Sequence, residues 1–159
     1  MPEELDELEE QIRKELDIDD TNIDGEVKRQ AGKFFYWGTL LAHAAQRTRA
    51  TKSHVDAIKA DEAKKYKEQL AKEDPKIRVT ERMLDDFLDT NPVVTAVKDS
   101  LIAAQYKEQM LDVAVDAFRQ RHYALIELSK GRESERMMQN EYNLMKKDYE
   151  AREAKKHTQ

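Results

Sequence analysis

The chain has 159 residues, of which 39% are hydrophobic and 38% charged, with a formal net charge of −5, four Gly and no Cys. This length fits a single domain over residues 1–159, and the composition is typical of long, solvated helices. The missing Cys excludes disulfides and thiolate metal sites. The lack of a signal pattern and of an apolar run of about 18 residues predicts a soluble, cytoplasmic protein with no membrane contact.

The charge is distributed unevenly. Residues 1–26 carry twelve acidic and two basic side chains, whereas the remaining chain carries 26 basic and 21 acidic ones. An acidic N-terminal segment followed by a mildly basic remainder is compatible with an anionic partner that binds outside residues 1–26.

An acidic amphipathic helix is predicted over 2–16, where leucines and Ile12 share one face. The following segment, DIDDTNIDG at 17–25, partly matches an EF-hand calcium loop that begins at Asp20. Ala31 stands where that loop needs a bidentate Glu, so most of the calcium affinity would be lost. We therefore interpret the segment as a turn that caps the next helix through Asp24.

The second predicted helix covers 26–73 and contains an aromatic cluster around Trp37. We expect Phe34, Trp37 and Leu41 to pack against the central helix. Its middle, QRTRATKS at 46–53, is polar and β-branched and is predicted to weaken or break the helix. Asp74-Pro75 ends it, because the residue before proline is disfavoured in the α region.

Basic side chains accumulate in this helix, and an aromatic ring lies among them. Lysine and arginine neutralise phosphates, and an adjacent aromatic ring can stack on a base of a single strand. The alternative is a solvated face on which these side chains pair with Asp56, Asp61, Glu62 and Glu68 at helical spacing. The candidate residues for binding single-stranded DNA are Arg47, Arg49, Lys52, Lys59, Lys64, Lys65, Tyr66 and Lys67.

A connector with an extended part at 76–79 and a short helix capped by Thr80 leads to the long central helix, predicted over 92–130. Asn91 and Pro92 are good residues for its start, and Gly131 for its end. One apolar seam with steps of three and four runs along it: Val94, Val97, Leu101, Ala104, Glu108, Leu111, Val115, Phe118, His122 and Leu125. A helix of that length, roughly 58 Å, cannot bury its seam alone.

The last predicted helix, at 132–152, carries a soft stripe of Met and Tyr that suits a contact between subunits. Together with the seam it predicts homo-oligomerisation. The candidate residues for this contact are Leu111, Val115, Phe118, Leu125, Met138, Tyr142, Met145 and Tyr149.

The predicted fold is all-α: a long antiparallel helical hairpin, with short terminal and connecting helices, in an oligomerising bundle. No catalytic motif, cofactor loop or Glu-x-x-His pair occurs, so neither an enzyme nor a metal or cofactor site is predicted. His122 lies in the seam and is interpreted as a packing residue rather than a ligand.

Several segments together resemble the UvsY-type recombination mediators of tailed phages. They are the acidic start, IDDTNID at 18–24, the aromatic cluster that ends at Trp37, KIRVTE at 76–81, the NPVV start of the long helix and AVDAFRQRHYALIEL at 114–128. The resemblance spans nearly the whole chain.

The resemblance implies a non-enzymatic protein that forms a ring-like homo-oligomer and binds single-stranded DNA. Its partners would be a RecA-like recombinase, which it helps to load, and the single-strand-binding protein that covers the strand. The family's basic DNA-contacting pair lies near the end of the second helix, where a gap-free alignment through Trp37 places Ala60 and Glu62. A coiled-coil adaptor or phage assembly scaffold that binds only protein remains the alternative.

Overall fold

The computed structural model describes the backbone of residues 2–156 and the side chains of residues 4–150. Within this part the chain forms four α-helices and one 3-10 turn and contains no strand. The elements are α1 (Pro2–Leu16), the 3-10 turn (Asp20–Asn22), α2 (Ile23–Glu73), α3 (Glu81–Thr90) and α4 (Pro92–Lys156). The predicted all-α class is confirmed, and α2 and α4 form the predicted long hairpin.

The chain divides into two compact units. The first contains the chain up to Asp6 together with Phe35–Asp116, and the second contains Glu7–Phe34 together with the chain from Ala117 onward. In the first unit, Asn91 Nδ2 at the start of α4 donates to Glu62 Oε2 of α2 at 2.9 Å.

Each unit buries its own apolar side chains where helices meet. Trp37 of the first unit is fully buried, as predicted, whereas Phe34, which was expected to pack beside it, is exposed (38%). The other buried apolar residues of the first unit are Val55, Val94, Leu111, Ala114 and Val115. In the second unit they are Ile12, Ile23, Phe118 and Leu125.

Two predicted helix starts are confirmed by hydrogen bonds from the capping side chains. Thr80 Oγ1 accepts from the amide of Met83 at 3.3 Å, and Asn91 Oδ1 accepts from the amides of Val93 and Val94 at 2.8 and 3.2 Å. Each bond satisfies a donor that the first helical turn leaves without a partner.

The predicted cap of α2 at Asp24 is wrong. The helix begins at Ile23, after a 3-10 turn that Asp19 caps by accepting from the amide of Thr21 at 2.9 Å. The side chain of Asn22 then accepts from the amide of Gly25 at 3.2 Å, which places the capping oxygen two residues earlier than expected.

The predicted break at 46–53 is also wrong, because α2 is continuous through this stretch. Thr51 donates back to the carbonyl of Arg47 at 2.9 Å, a bond that a helix accommodates. The β-branched residues lower helix propensity only slightly, and tertiary packing around buried Val55 outweighs that cost.

Gly131 does not end the central helix, and α4 continues to Lys156 as one element. No glycine of the described backbone has a positive φ, so the left-handed cap does not form. Beyond Gly131, Arg132 donates to the carbonyl of Asp20, and Arg136 lies 3.8 Å from the carboxylate of Asp24. These contacts within the second unit support the continued helix.

No helix in the described part of the chain has an apolar stretch long enough to cross a membrane.

Candidate nucleic-acid interface

Four basic side chains share one face of α2 in the first unit. At 3.6 residues per turn, Arg49, Lys52, Lys59 and Lys67 fall within an arc of about 80°. Three of them, Arg49, Lys52 and Lys67, are exposed and have no carboxylate within 4 Å among the described side chains. We call these four residues the basic face.

Lys64 and Lys65, although adjacent in sequence to this face, have different surroundings. Lys65 Nζ lies 2.8 Å from Asp61 and 2.7 Å from Glu62, and its pKa is raised by the hydrogen bonds to these two carboxylates. Lys64 lies 3.9 Å from Glu68. Lys65 is about 160° around the helix from Lys67, so the predicted lysine cluster is split, and part of its charge is compensated locally.

Tyr66 is half-buried and does not stand free as a stacking platform. Its ring stacks on Phe87 of α3 with a centroid distance of 4.2 Å and an interplanar angle of 8°. This pair joins α3 to α2 through the ring that the sequence offered for stacking on a base.

Arg47 lies away from the basic face and lines a cavity of about 150 Å³ together with Lys107 of α4 and Glu4 of α1. Lys107 Nζ lies 2.7 Å from Glu4 Oε1. The hydrogen bond from Lys107 lowers the pKa of Glu4, and the charge of Arg47 adds to this effect. The sequence did not single out Lys107, because the register between α2 and α4 is needed to place it beside Arg47.

The candidate oligomerisation residues divide into two sets. Leu111, Val115, Phe118 and Leu125 are buried within this one chain, so they pack against its own helices. The C-terminal stripe is exposed: Met138, Tyr142, Met145 and Tyr149 have 63%, 61%, 67% and 67% of their surface accessible. Met137 and Leu144, on the adjoining edge, are equally exposed.

The interpretation of His122 as a buried packing residue is wrong, since its side chain is exposed and Arg121 occupies the interior position. Arg121 donates to the carbonyls of Leu16 and Asp17 at 3.1 and 3.0 Å, and also to Gln30 and Glu26. No sequence signal distinguished it, because a lone arginine next to a seam is normally solvated.

Among the side chains of residues 4–150, no group of three or more His, Asp or Glu residues is arranged to hold a metal ion. The acidic segment at 17–25 instead forms the 3-10 turn and the first turn of α2.

Neither a protein-family model nor a curated protein matches the sequence. Among solved structures, the chain is similar to the crystal structure of the recombination mediator protein UvsY of bacteriophage T4. The TM-score is 0.71 at 18% sequence identity, over 82% of this chain and 98% of that one. The resemblance seen in the residues and the likeness of the structures therefore agree, and the two chains share a fold.

Proposed function

We propose that this protein is a non-enzymatic recombination mediator that binds single-stranded DNA as a homo-oligomer in the cytoplasm. The observation that carries the proposal is the shared fold with a phage recombination mediator over 82% of the chain. The basic face supports it, because Arg49, Lys52 and Lys67 are exposed cations on one helix without a carboxylate partner among the described residues. Such groups can exchange water for phosphate at little structural cost.

Fluorescence anisotropy with a labelled oligonucleotide across a salt series tests the DNA contact. Lys52→Ala with Lys67→Ala should weaken binding and reduce the steepness of log K against log salt by about 1.4, that is, about 0.7 per phosphate contact. Lys64→Ala with Lys65→Ala is the matched control, since it removes the same charge from the same helix but from carboxylate-paired side chains.

We expect the control pair to have a smaller effect on both affinity and slope. If the parent protein failed to bind the oligonucleotide at low salt, a protein-only adaptor would become the better description. Equal losses of oligonucleotide affinity from the two double variants would mean that the basic face is not the DNA contact. The proposal that the protein binds DNA would still stand.

We infer that subunits associate through the exposed stripe of α4 formed by Met138, Tyr142, Met145 and Tyr149. A helix that exposes a continuous apolar stripe gains stability by pairing that stripe with another helix. Met and Tyr are adaptable in such contacts because Met is flexible and Tyr keeps a polar tip.

Light scattering tests this contact. Met138→Asp with Met145→Asp should shift the protein toward smaller species, because it would bury unpaired charge in the contact. Asn140→Asp with Asn143→Asp adds the same charge to the opposite side of the helix and should leave the assembly unchanged. A monomeric parent at tens of micromolar would contradict the proposal.

The RecA-like recombinase and the single-strand-binding protein are the partners that complete the proposed role. The assay is recombinase filament formation on a strand covered by single-strand-binding protein, with and without this protein. Acceleration that Lys52→Ala with Lys67→Ala abolishes would support a loading role that depends on DNA contact.

A further inference from the structure

Helix α3 is an acidic amphipathic helix that is weakly held in the first unit. It carries four carboxylates, Glu81, Asp85, Asp86 and Asp89, against the single cation Arg82, and none of its residues is fully buried. A turn at 75–76 and the residues 77–80, which belong to neither a helix nor a strand, precede it, and Asn91 is the one non-helical residue between α3 and α4. An element with so little buried surface is among the first to open in a folded protein.

Besides the half-buried apolar side chains of Met83, Leu84 and Leu88, α3 makes an aromatic contact and an ion pair, and each of these two resembles a contact that a nucleotide makes. The ring of Phe87 lies flat on Tyr66, with centroids 4.2 Å apart and planes within 8° of parallel. This is the geometry in which an aromatic side chain stacks on a base.

The second contact is a carboxylate on a lysine. Asp89 Oδ1 lies 2.8 Å from Nζ of Lys98. The hydrogen bond and charge of Lys98 lower the pKa of Asp89, and the nearby charge of Lys59, a member of the basic face, adds to the effect. A lysine ammonium binds carboxylate and phosphate oxygens alike, as a point charge.

We propose that α3 is a displaceable lid that occupies a nucleotide-binding position in the absence of DNA. Phe87 takes the place of a base on Tyr66, and Asp89 takes the place of a phosphate beside Lys98 and Lys59. A single strand that runs along the basic face displaces the lid, stacks a base on Tyr66 and binds the two lysines. This inference rests on the proposed binding of single-stranded DNA and deepens it by naming a regulatory element of that site.

The exchange replaces two of the contacts of α3 with contacts of the same kind. A base stacks on Tyr66 in place of Phe87, and a phosphate oxygen binds Lys98 in place of the Asp89 carboxylate. The strand gains further phosphate contacts along the basic face that α3 does not offer, so binding shifts the equilibrium toward the open lid.

The experiment compares two variants that remove one carboxylate each from α3 and keep its shape. Asp89→Asn frees Lys98, removes a negative charge near Lys59 and should raise oligonucleotide affinity about two- to fivefold. Asp85→Asn changes the net charge equally, but Asp85 is exposed and has no cation within 4 Å among the described residues. A gain in affinity that is confined to Asp89→Asn supports the lid. Equal gains from the two variants would reflect only weaker general repulsion between the protein and the DNA, and they would overturn the lid.

Phe87→Ala tests the stacking part and should raise affinity about two- to tenfold. The gain should vanish in a Tyr66→Leu background, because no ring is then available to a base. A gain of the same size in both backgrounds would come from a merely loosened helix and would overturn the stacking exchange.

Hydrogen exchange of the parent protein observes the lid directly. Addition of excess oligonucleotide should speed amide exchange in 81–90. Unchanged or slower exchange, with binding present, overturns the lid and leaves the proposed function standing. If the parent, Asp89→Asn and Phe87→Ala all fail to bind, the lid and the proposed function fall together.

Discussion

Replacing Arg121 by Met should destabilise the second unit by about 3 kcal/mol. The guanidinium is 3% exposed and pairs with the carboxylate of Glu26, which is 8% exposed. It also donates to Gln30 and to the carbonyls of Leu16 and Asp17 at the end of α1. One side chain thus joins α1, α2 and α4 within this unit.

The magnitude follows from the group that the substitution leaves behind. Removing one partner of a buried ion pair costs about 3–5 kcal/mol, because the other charge stays buried without compensation. Arg29 still reaches Glu26 at 2.5 Å, but its side chain is 55% exposed and its interaction is screened, so we take the lower end of this range. For a chain of this size, that loss lowers the thermal midpoint by about 6–12 °C.

Thermal or urea denaturation at one fixed protein concentration measures the effect, since association shifts apparent stability. Arg136→Met is the control: its partner Asp24 lies 3.8 Å away, and both side chains are more than two-thirds exposed. That pair should contribute less than about 1 kcal/mol. Adding Glu26→Gln to Arg121→Met should recover part of the loss. Equal destabilisation by the Arg121 and Arg136 variants would refute the reasoning.

The effect of Arg121→Met should also depend on pH. Burial raises the pKa of Glu26, but the hydrogen bonds and charges of Arg121 and Arg29 outweigh burial and hold that pKa below its ordinary value. A lowered folded pKa gives stability that is complete above the unfolded value, about 4.3, and is lost as pH falls through the folded one. The stability difference between parent and variant should therefore be full at pH 7 and narrow as the pH falls toward the folded pKa of Glu26 in the parent, because protonation removes the buried charge that the variant leaves less compensated.

Three further substitutions test the fold through denaturation midpoints. Thr48→Val should leave stability unchanged or raise it by up to about 1 kcal/mol, because the buried Thr48 hydroxyl has no hydrogen-bond partner among the described residues. A loss above about 1 kcal/mol would contradict this. Gly131→Ala should stabilise by about 0.5–1 kcal/mol, since a Cβ there meets nothing within 4 Å inside a helix. Destabilisation by this substitution would indicate that the helix ends at 131. Gly25→Ala should destabilise, because its Cβ would lie 2.6 Å from the Asn22 amide group, and an unchanged midpoint would contradict this. Trp37→Ala should cost about 3–5 kcal/mol, since Trp37 is fully buried, and a variant that melts like the parent would contradict this.

Local chemistry was enough for the sequence to determine the helical class and several boundaries. Thr80, Asn91 and Pro92 act through capping bonds and backbone dihedrals within a few residues, so their effects are readable without a fold. Trp37 was also predictable as a core residue, because a large aromatic ring among apolar residues at helical spacing is usually buried.

Tertiary structure decided the features whose local signals were weak or ambiguous. A glycine such as Gly131 can lie within a helix or end one. Here α4 continues through it, and Arg132 and Arg136 in the continued helix contact Asp20 and Asp24. Arg121 rather than His122 faces inward, because the register against Glu26 and Gln30 selects the side chain that finds buried partners. The division of the lysines has the same cause: Lys65 meets two carboxylates while Lys67 meets none among the described residues. Tyr66 meets Phe87 only because α3 folds back onto α2, a contact that helical spacing within α2 does not encode.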